Sequence, residues 1–251
     1  MIPRFVDAAG VIAEADLGAW ALVGGLAVMM QLAGAHRATA DVDTAADDDD
    51  GRVLPALDVL VADGRAHRVS DQLYVANGTK VDLIRVYSFT SDNLPDDDLD
   101  RVFVVAHGWA VSTADVTEVA VTTLNGDVIT RATFPIATPA SLIAMKLQSH
   151  QRQQRLAAKR ASDVYDIYRL LSAHDHDDAG GISEELATAP EDLSAWCADA
   201  IESTFVTSAA RWARQLGVYS RGPAMGTITA EDLDVVGSLT VERLRRSERS
   251  S

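Results

Sequence analysis

The sequence predicts an α+β protein, a mixed β-sheet in the first half followed by helices to the end. Three observations carry that expectation. Short apolar, β-rich runs bounded by Gly, Asn and Asp crowd the first half, and two of them are split by Asn-Gly pairs, Asn77-Gly78 and Asn125-Gly126. From Thr138 onward, apolar residues recur at helical spacing. The composition, 47% hydrophobic and 24% charged, is that of a globular chain and excludes disorder as a whole. At 251 residues the chain suits one or two domains, and the change in pattern divides it into 1–136 and 137–251.

The elements are expected in this order. Phe5 to Leu17 reads as a first helix. Trp20 to Val23 reads as a short buried strand running into Gly24-Gly25, and Leu26 to Leu32 as a helix. Ala40 to Thr44 is the next strand, and the run Asp47 to Asp50 a solvated loop. Val53 to Ala62 fits a helix. The Asn77-Gly78 turn then joins two strands, SDNLPDDDLD is an acidic turn region, and Val116–Thr122 with Asp127–Thr133 forms a second hairpin. Thr138-Pro139 supplies an N-cap and a first-turn proline for a helix from Ala140 to about Gln148. A basic stretch, Arg152 to Arg160, precedes a helix from Ala161 to Ala173. Ser183 to about Gly217 is helical by pattern, and the closing ERLRRSERSS is expected to fray.

Charge narrows the function classes. The net charge of −15 argues against a broad basic coat for nucleic acid while leaving room for a local patch. A single cysteine, Cys197, excludes an intrachain disulfide framework and a multi-cysteine zinc site, and is expected to be a core thiol. Acids stand where a secretory signal would need its apolar core, and the run AWALVGGLAVMM is shorter than the roughly 20 residues of a spanning helix. A cytoplasmic protein with no membrane partner is expected.

The chemistry concentrates in VGGLAVMMQLAGAHRATADVDTA and KVDLIRV. A strand, a glycine pair and a helix form a phosphate-ready arrangement, because the free N–H groups of the helix start point at the turn. Asp41 and Asp43, two apart on a strand, project from the same sheet face. Side-by-side carboxylates repel and are tolerated when a cation sits between them. Asp82 lies in another apolar strand. If that strand neighbours the first, three carboxylates converge beside the glycine turn. Hard oxygen donors that share a cation with substrate phosphates are the Mg²⁺ pattern, with Mn²⁺ an alternative. The parts together describe nucleotidyl transfer from a nucleoside triphosphate.

Glycine pair, helix, then R-x-T-x-D-x-D resembles the signature of the polymerase β-like nucleotidyltransferases. Within that superfamily, GGLAV…HRATADVD resembles the AbiEii/MenT group of toxins, and PASLIAMKLQSHQRQQRLAAKRASDVYDIYRLL is similar to the later lysine and aspartate motifs of that group. The resemblance spans about residues 20–172. It implies a nucleotidyltransferase core over 1–136, with the helical 137–251 completing the active-site cleft. It implies metal on Asp41 and Asp43, with Asp82 as a third carboxylate or a supporting residue. Gly24, Gly25, Arg37 and Thr39 would bind nucleotide, Lys146 would offset charge on the leaving group, and Asp163 would position or deprotonate the attacking hydroxyl or assist the cleft in another way, which the sequence does not fix. Asp166, one turn on, competes with Asp163. NTP and Mg²⁺ are the implied substrate and cofactor, tRNA a plausible acceptor, and a neighbouring antitoxin the implied partner. The chain departs from many superfamily members in having Gly25 where they have serine, which leaves only backbone donors there.

Each feature also has a plainer reading. A glycine pair eases many strand-to-helix turns, Lys146 could cover apolar neighbours with its stem, and Asp163 could favour a helix dipole. Arg37 could pair with Asp41 or Asp43 instead of phosphate. His36 reads as a loop residue, and His174 and His176 as a solvated helix end. The basic stretch Arg152, Arg155, Lys159 and Arg160 is a solvated helix face, a contact for an RNA acceptor or a partner of the triphosphate. Two other functions stay open: a small-molecule nucleotidyltransferase of the aminoglycoside or lincosamide type, which the acidic charge suits, and a nucleotide-binding regulatory module without turnover.

Overall fold

Hairpin chemistry and apolar alternation set the sheet. The computed structural model describes residues 2–32, 39, 41–70, 72–89, 94–174, 181–190, 192–219 and 227–248. It divides into two units, Met1–Leu94 with His107–Thr138 and Pro95–Ala106 with Pro139–Ser251. Among the described residues no helix is long and apolar enough to cross a membrane.

The first unit holds α1 (Ile2–Ala13), β1 (Trp20–Val23), α2 (Gly24–Gln31), β2 (Asp41–Asp47), α3 (Val53–Ala62), β3 (Ala66–Ser70), β4 (Leu73–Ala76), β5 (Thr79–Val86), β6 (Asp115–Thr122) and β7 (Val128–Ile136). The seven strands form one sheet in the order β3-β4-β5-β2-β1-β7-β6. It is mixed: β2 runs parallel to β5 and β1 parallel to β7, while the other neighbours are antiparallel. Asn77 (φ 49°) and Gly78 (φ 69°) take the left-handed conformations that a two-residue hairpin turn between β4 and β5 demands. The apolar side of α1, with Phe5, Val6 and Ile12, is buried and touches β2, β4, β5, β6 and β7. Leu22, Val42, Tyr74, Val81 and Phe134 fill the sheet's share of that core.

The second unit is helical: α5 (Pro139–Gln151), α6 (Ala157–His174), α7 (Gly181–Ala187), α8 (Leu193–Ile201), a π-helical segment (Glu202–Thr207), α9 (Ala209–Tyr219) and α10 (Ala230–Glu248). α5 is buried over nearly its whole length, against α6, α7 and α8. A helix with no solvated face belongs inside a bundle.

Several expectations are corrected. SDNLPDDDLD is not only a turn, because α4 (Asp98–Ser112) begins inside it. Asp97 caps that helix by accepting the Asp100 N–H at 3.0 Å, and Asp98 and Asp100 suit its positive end. α4 runs from the second unit into the first. The Asp47–Asp50 run is not simply solvated. Asp47 ends β2, and Asp48 is 5% exposed, accepts the Val53 N–H at 3.0 Å at the start of α3 and meets Arg85 and Tyr87 at 3.4 Å. Nor is the polar tail frayed over the described residues, since α10 continues to Glu248. Thr229 and Asp232 start α10 with a reciprocal capping pair, and Leu233, Val241 and Leu244 bury its inner side. α6 begins four residues before the expected Ala161, which takes Lys159 and Arg160 into its first turn. α1 runs from Ile2 to Ala13 rather than from Phe5 to Leu17.

Candidate active site

In the first unit, the turn from β1 into α2 is built on Gly24. Its φ is +68°, and a Cβ there would fall 1.9 Å from Asp43 Oδ2. Only glycine satisfies both the left-handed backbone and this approach. The cause is register. β1 pairs Val23 with Asp43, which sets the Asp43 carboxylate beside the next residue. Val23, the N-cap of α2, supplies no side-chain hydrogen bond to the helix start. The main-chain N–H groups of that first turn are the donors the segment offers an anion.

β2 alternates as its sequence requires. Val42 and Thr44 are fully buried, while Asp41 and Asp43 are half-buried. β5 lies alongside with Asp43 opposite Asp82. Val81 and Leu83 bury themselves on either side, and Thr44 Oγ1 donates to the Asp82 carbonyl at 3.1 Å. Asp41, Asp43 and Asp82 each present an oxygen within 4.8 Å of the others. Two unit negative charges 4.8 Å apart repel by on the order of 3 kcal/mol at an effective dielectric of about 20. Three half-buried carboxylates at this spacing are hard oxygen donors that fit a divalent cation. Thr39 donates its hydroxyl to the Asp41 carbonyl at 3.2 Å, fixing the chain as it enters β2. Arg37 and His36 lie outside the described residues.

In the second unit, Lys146 on α5 is buried. Its Nζ lies 2.8 Å from Asp166 and 3.4 Å from Asp163, both on α6 and both 1% exposed or less. Arg155, in the α5–α6 connection, donates Nε to Asp163 at 2.7 Å. Asp163 and Asp166, one turn apart on α6, share Lys146. Sequence reasoning places Arg155 only within a basic stretch. The signal that could have found its role is spacing, because a cation eight residues before Asp163 across a helix break can fold back on the helix start.

Next to this network, the ring of His150 meets Trp212 edge-on at 4.6 Å, and its Nδ1 lies 3.2 Å from the Arg160 carbonyl. Burial pushes the His150 pKa down to about 4. The Arg160 carbonyl opposes the shift, and Arg160, Arg211 and Arg155 add to it. Cys197 is fully buried, and burial raises its thiol pKa above the ordinary value, as expected of a core thiol. His174 closes α6, while His176 lies outside the described residues.

No curated protein matches the chain. Among solved structures it is similar to an antigenic nucleotidyltransferase-like protein from Paracoccidioides brasiliensis, with 18% identity, 79% of this chain and 90% of that chain covered, and a TM-score of 0.43. The family model described as "Nucleotidyl transferase AbiEii toxin, Type IV TA system" matches residues 9–216, well over half of the sequence. The chain therefore belongs to the AbiEii family of nucleotidyltransferase toxins of toxin–antitoxin systems.

Proposed function

We propose that the chain transfers a nucleoside monophosphate from an NTP to an acceptor, with tRNA as the acceptor class, and that the reaction depends on Mg²⁺ or Mn²⁺ in the cytoplasm. The observation that supports this most directly is the convergence of Asp41, Asp43 and Asp82 within 4.8 Å beside the side-chain-free turn at Gly24. Asp41 and Asp43, with Asp82, would hold the divalent ions, which when bound offset phosphate charge and stabilise the oxygens exchanged in an in-line displacement.

The chain's own groups do the rest. The N–H groups at Gly24 and Gly25 bind phosphate oxygens, which the missing side chains let approach the backbone. Arg37 and Thr39 join the nucleotide contacts. Lys146 offsets negative charge on the departing pyrophosphate. Asp163 already accepts from Arg155 and pairs with Lys146. Its oxygens are engaged, so Asp163 positions Lys146 and does not remove a proton. A cognate antitoxin restrains the activity.

The test incubates the protein with each labelled NTP, Mg²⁺ and either total tRNA or a panel of aminoglycosides and lincosamides. Label should pass to tRNA and vanish in Asp41→Asn and Asp43→Asn. Label on an antibiotic instead would establish the small-molecule reading. Tight NTP binding with no pyrophosphate release under any condition would establish a regulatory module.

A further inference from the structure

The basic stretch between α5 and α6 divides in the structure. Arg152 is committed to Asp100 at 2.6 Å and Arg155 to Asp163. Lys159 and Arg160, in the first turn of α6, have no carboxylate partner among the described residues, nor do Arg211 and Arg214 on α9. α6 and α9 pack together. The guanidinium carbons of Arg160 and Arg211 lie 5.5 Å and 5.0 Å from the centre of the same Trp212 ring. Trp212 is buried, so it serves as a platform that orients two guanidinium groups and not as a surface for stacked bases. The Nε of Arg160 is buried without a hydrogen-bond partner.

This arrangement is electrostatically unfavourable in isolation. Lys159, Arg160 and Arg211 stand in the first turns of α6 and α9, where the helix dipole disfavours positive charge and no acid is present to compensate. Burial and Arg211 together hold the Arg160 pKa below its ordinary value. A chain with a net charge of −15 has many acids available for pairing, yet four cations are grouped without one among the described residues. An anion at this face would relieve both the mutual repulsion and the dipole penalty.

We infer that Lys159, Arg160, Arg211 and Arg214 form a docking surface for the phosphate backbone of an RNA. The inference rests on the proposed RNA acceptor and deepens it by naming where a polynucleotide is held. A generally acidic chain repels polyanions, so any RNA it engages must be gripped at a locally positive face. Arg is suited to that grip because its planar fork pairs with phosphate oxygens.

The test measures fluorescence anisotropy of a short fluorescein-labelled RNA hairpin with the full chain, in EDTA and without NTP, across a salt series. Neither metal nor turnover contributes there. Arg160→Gln/Arg211→Gln should weaken binding at least tenfold and flatten the slope of log K against log salt by about 1.5, the share of two phosphate contacts. Lys159→Gln/Arg214→Gln, both exposed, guards against misfolding and should act in the same direction. Unchanged affinity and slope in both pairs, with melting temperatures preserved, would overturn the surface. Binding of polyglutamate but not RNA by the wild-type chain would make it a site for an acidic protein and overturn it as well. The two proposals fail separately. RNA binding lost in these variants, with no nucleotidyl transfer by the wild type, leaves the surface standing without the reaction. Transfer to RNA with these variants binding normally does the reverse.

Discussion

Gly24→Ala isolates the close approach of the β1–α2 turn to Asp43 in the carboxylate cluster. Two costs are expected. At φ +68° an alanine costs about 1–2 kcal/mol of backbone strain. The new Cβ would also stand 1.9 Å from Asp43 Oδ2, so the carboxylate must retreat by about 1 Å to reach any tolerable contact. A displacement of that size at a reacting centre costs on the order of 10²-fold in rate. Gly78→Ala is the control. Its φ is +69°, the same strain, but a Cβ there meets nothing within 4 Å. Both variants should lose a few degrees of melting temperature. Only Gly24→Ala should also lose about a hundredfold in nucleotide transfer, together with the melting-temperature rise expected of the wild type on adding Mg²⁺. If Gly24→Ala and Gly78→Ala transfer nucleotide equally fast, the close approach to Asp43 is irrelevant to chemistry and the reasoning fails.

Other outcomes are expected from the same geometry. Millimolar Mg²⁺ should raise the melting temperature of the wild type by relieving the repulsion of Asp41, Asp43 and Asp82, and Asp43→Asn should blunt the effect; an equal rise in both would show that the ion binds elsewhere. Lys146→Met leaves Asp163 to Arg155 alone and takes from Asp166 the cation 2.8 Å away inside the helical unit, and should cost about 3 kcal/mol in denaturant unfolding, against which an unshifted midpoint would count. His150 has a folded pKa of about 4, below its unfolded value near 6.5, so the unfolded chain takes up the proton first. The stability it contributes is complete above pH 6.5 and is lost as pH falls towards 4, about 3 kcal/mol in all. His150→Phe should flatten that stretch of the stability–pH curve; a curve of unchanged steepness would show that other groups drive the acid transition.

Much of the fold was legible because its signals are local. The Asn77-Gly78 and Asn125-Gly126 turns, the Thr138-Pro139 helix start and the helix Val53–Ala62 each depend on a few adjacent residues, and each stands where the sequence puts it. The start of α4 was not legible, because Asp97, Asp98 and Asp100 serve equally well as turn acids or as the cap and first turn of a helix. Burial of Val102, Val105 and Trp109 further along the helix decides between the two. The end of α10 was hidden because its polar face dominates ERLRRSE, while Leu244 and Val241 gain their stabilisation from burial that no single segment reveals.

The sequence by itself determined the kinds of groups present and their local spacing: a glycine pair ahead of a helix, two carboxylates on one side of a strand, a lysine and two aspartates at helical intervals. Tertiary structure alone decided their partners. Parallel pairing of β2 with β5 sets Asp82 opposite Asp43, and antiparallel pairing of β1 with β2 brings Gly24 against the same carboxylate. α6 docking on α5 gives Lys146 its two aspartates, and the divided basic stretch yields two committed arginines, Arg152 and Arg155, beside Lys159 and Arg160, which have no carboxylate partner among the described residues. The reason is range. Backbone propensity and periodicity act over a few residues, whereas charge pairing and desolvation depend on distances across neighbouring strands and helices, which only the folded chain sets.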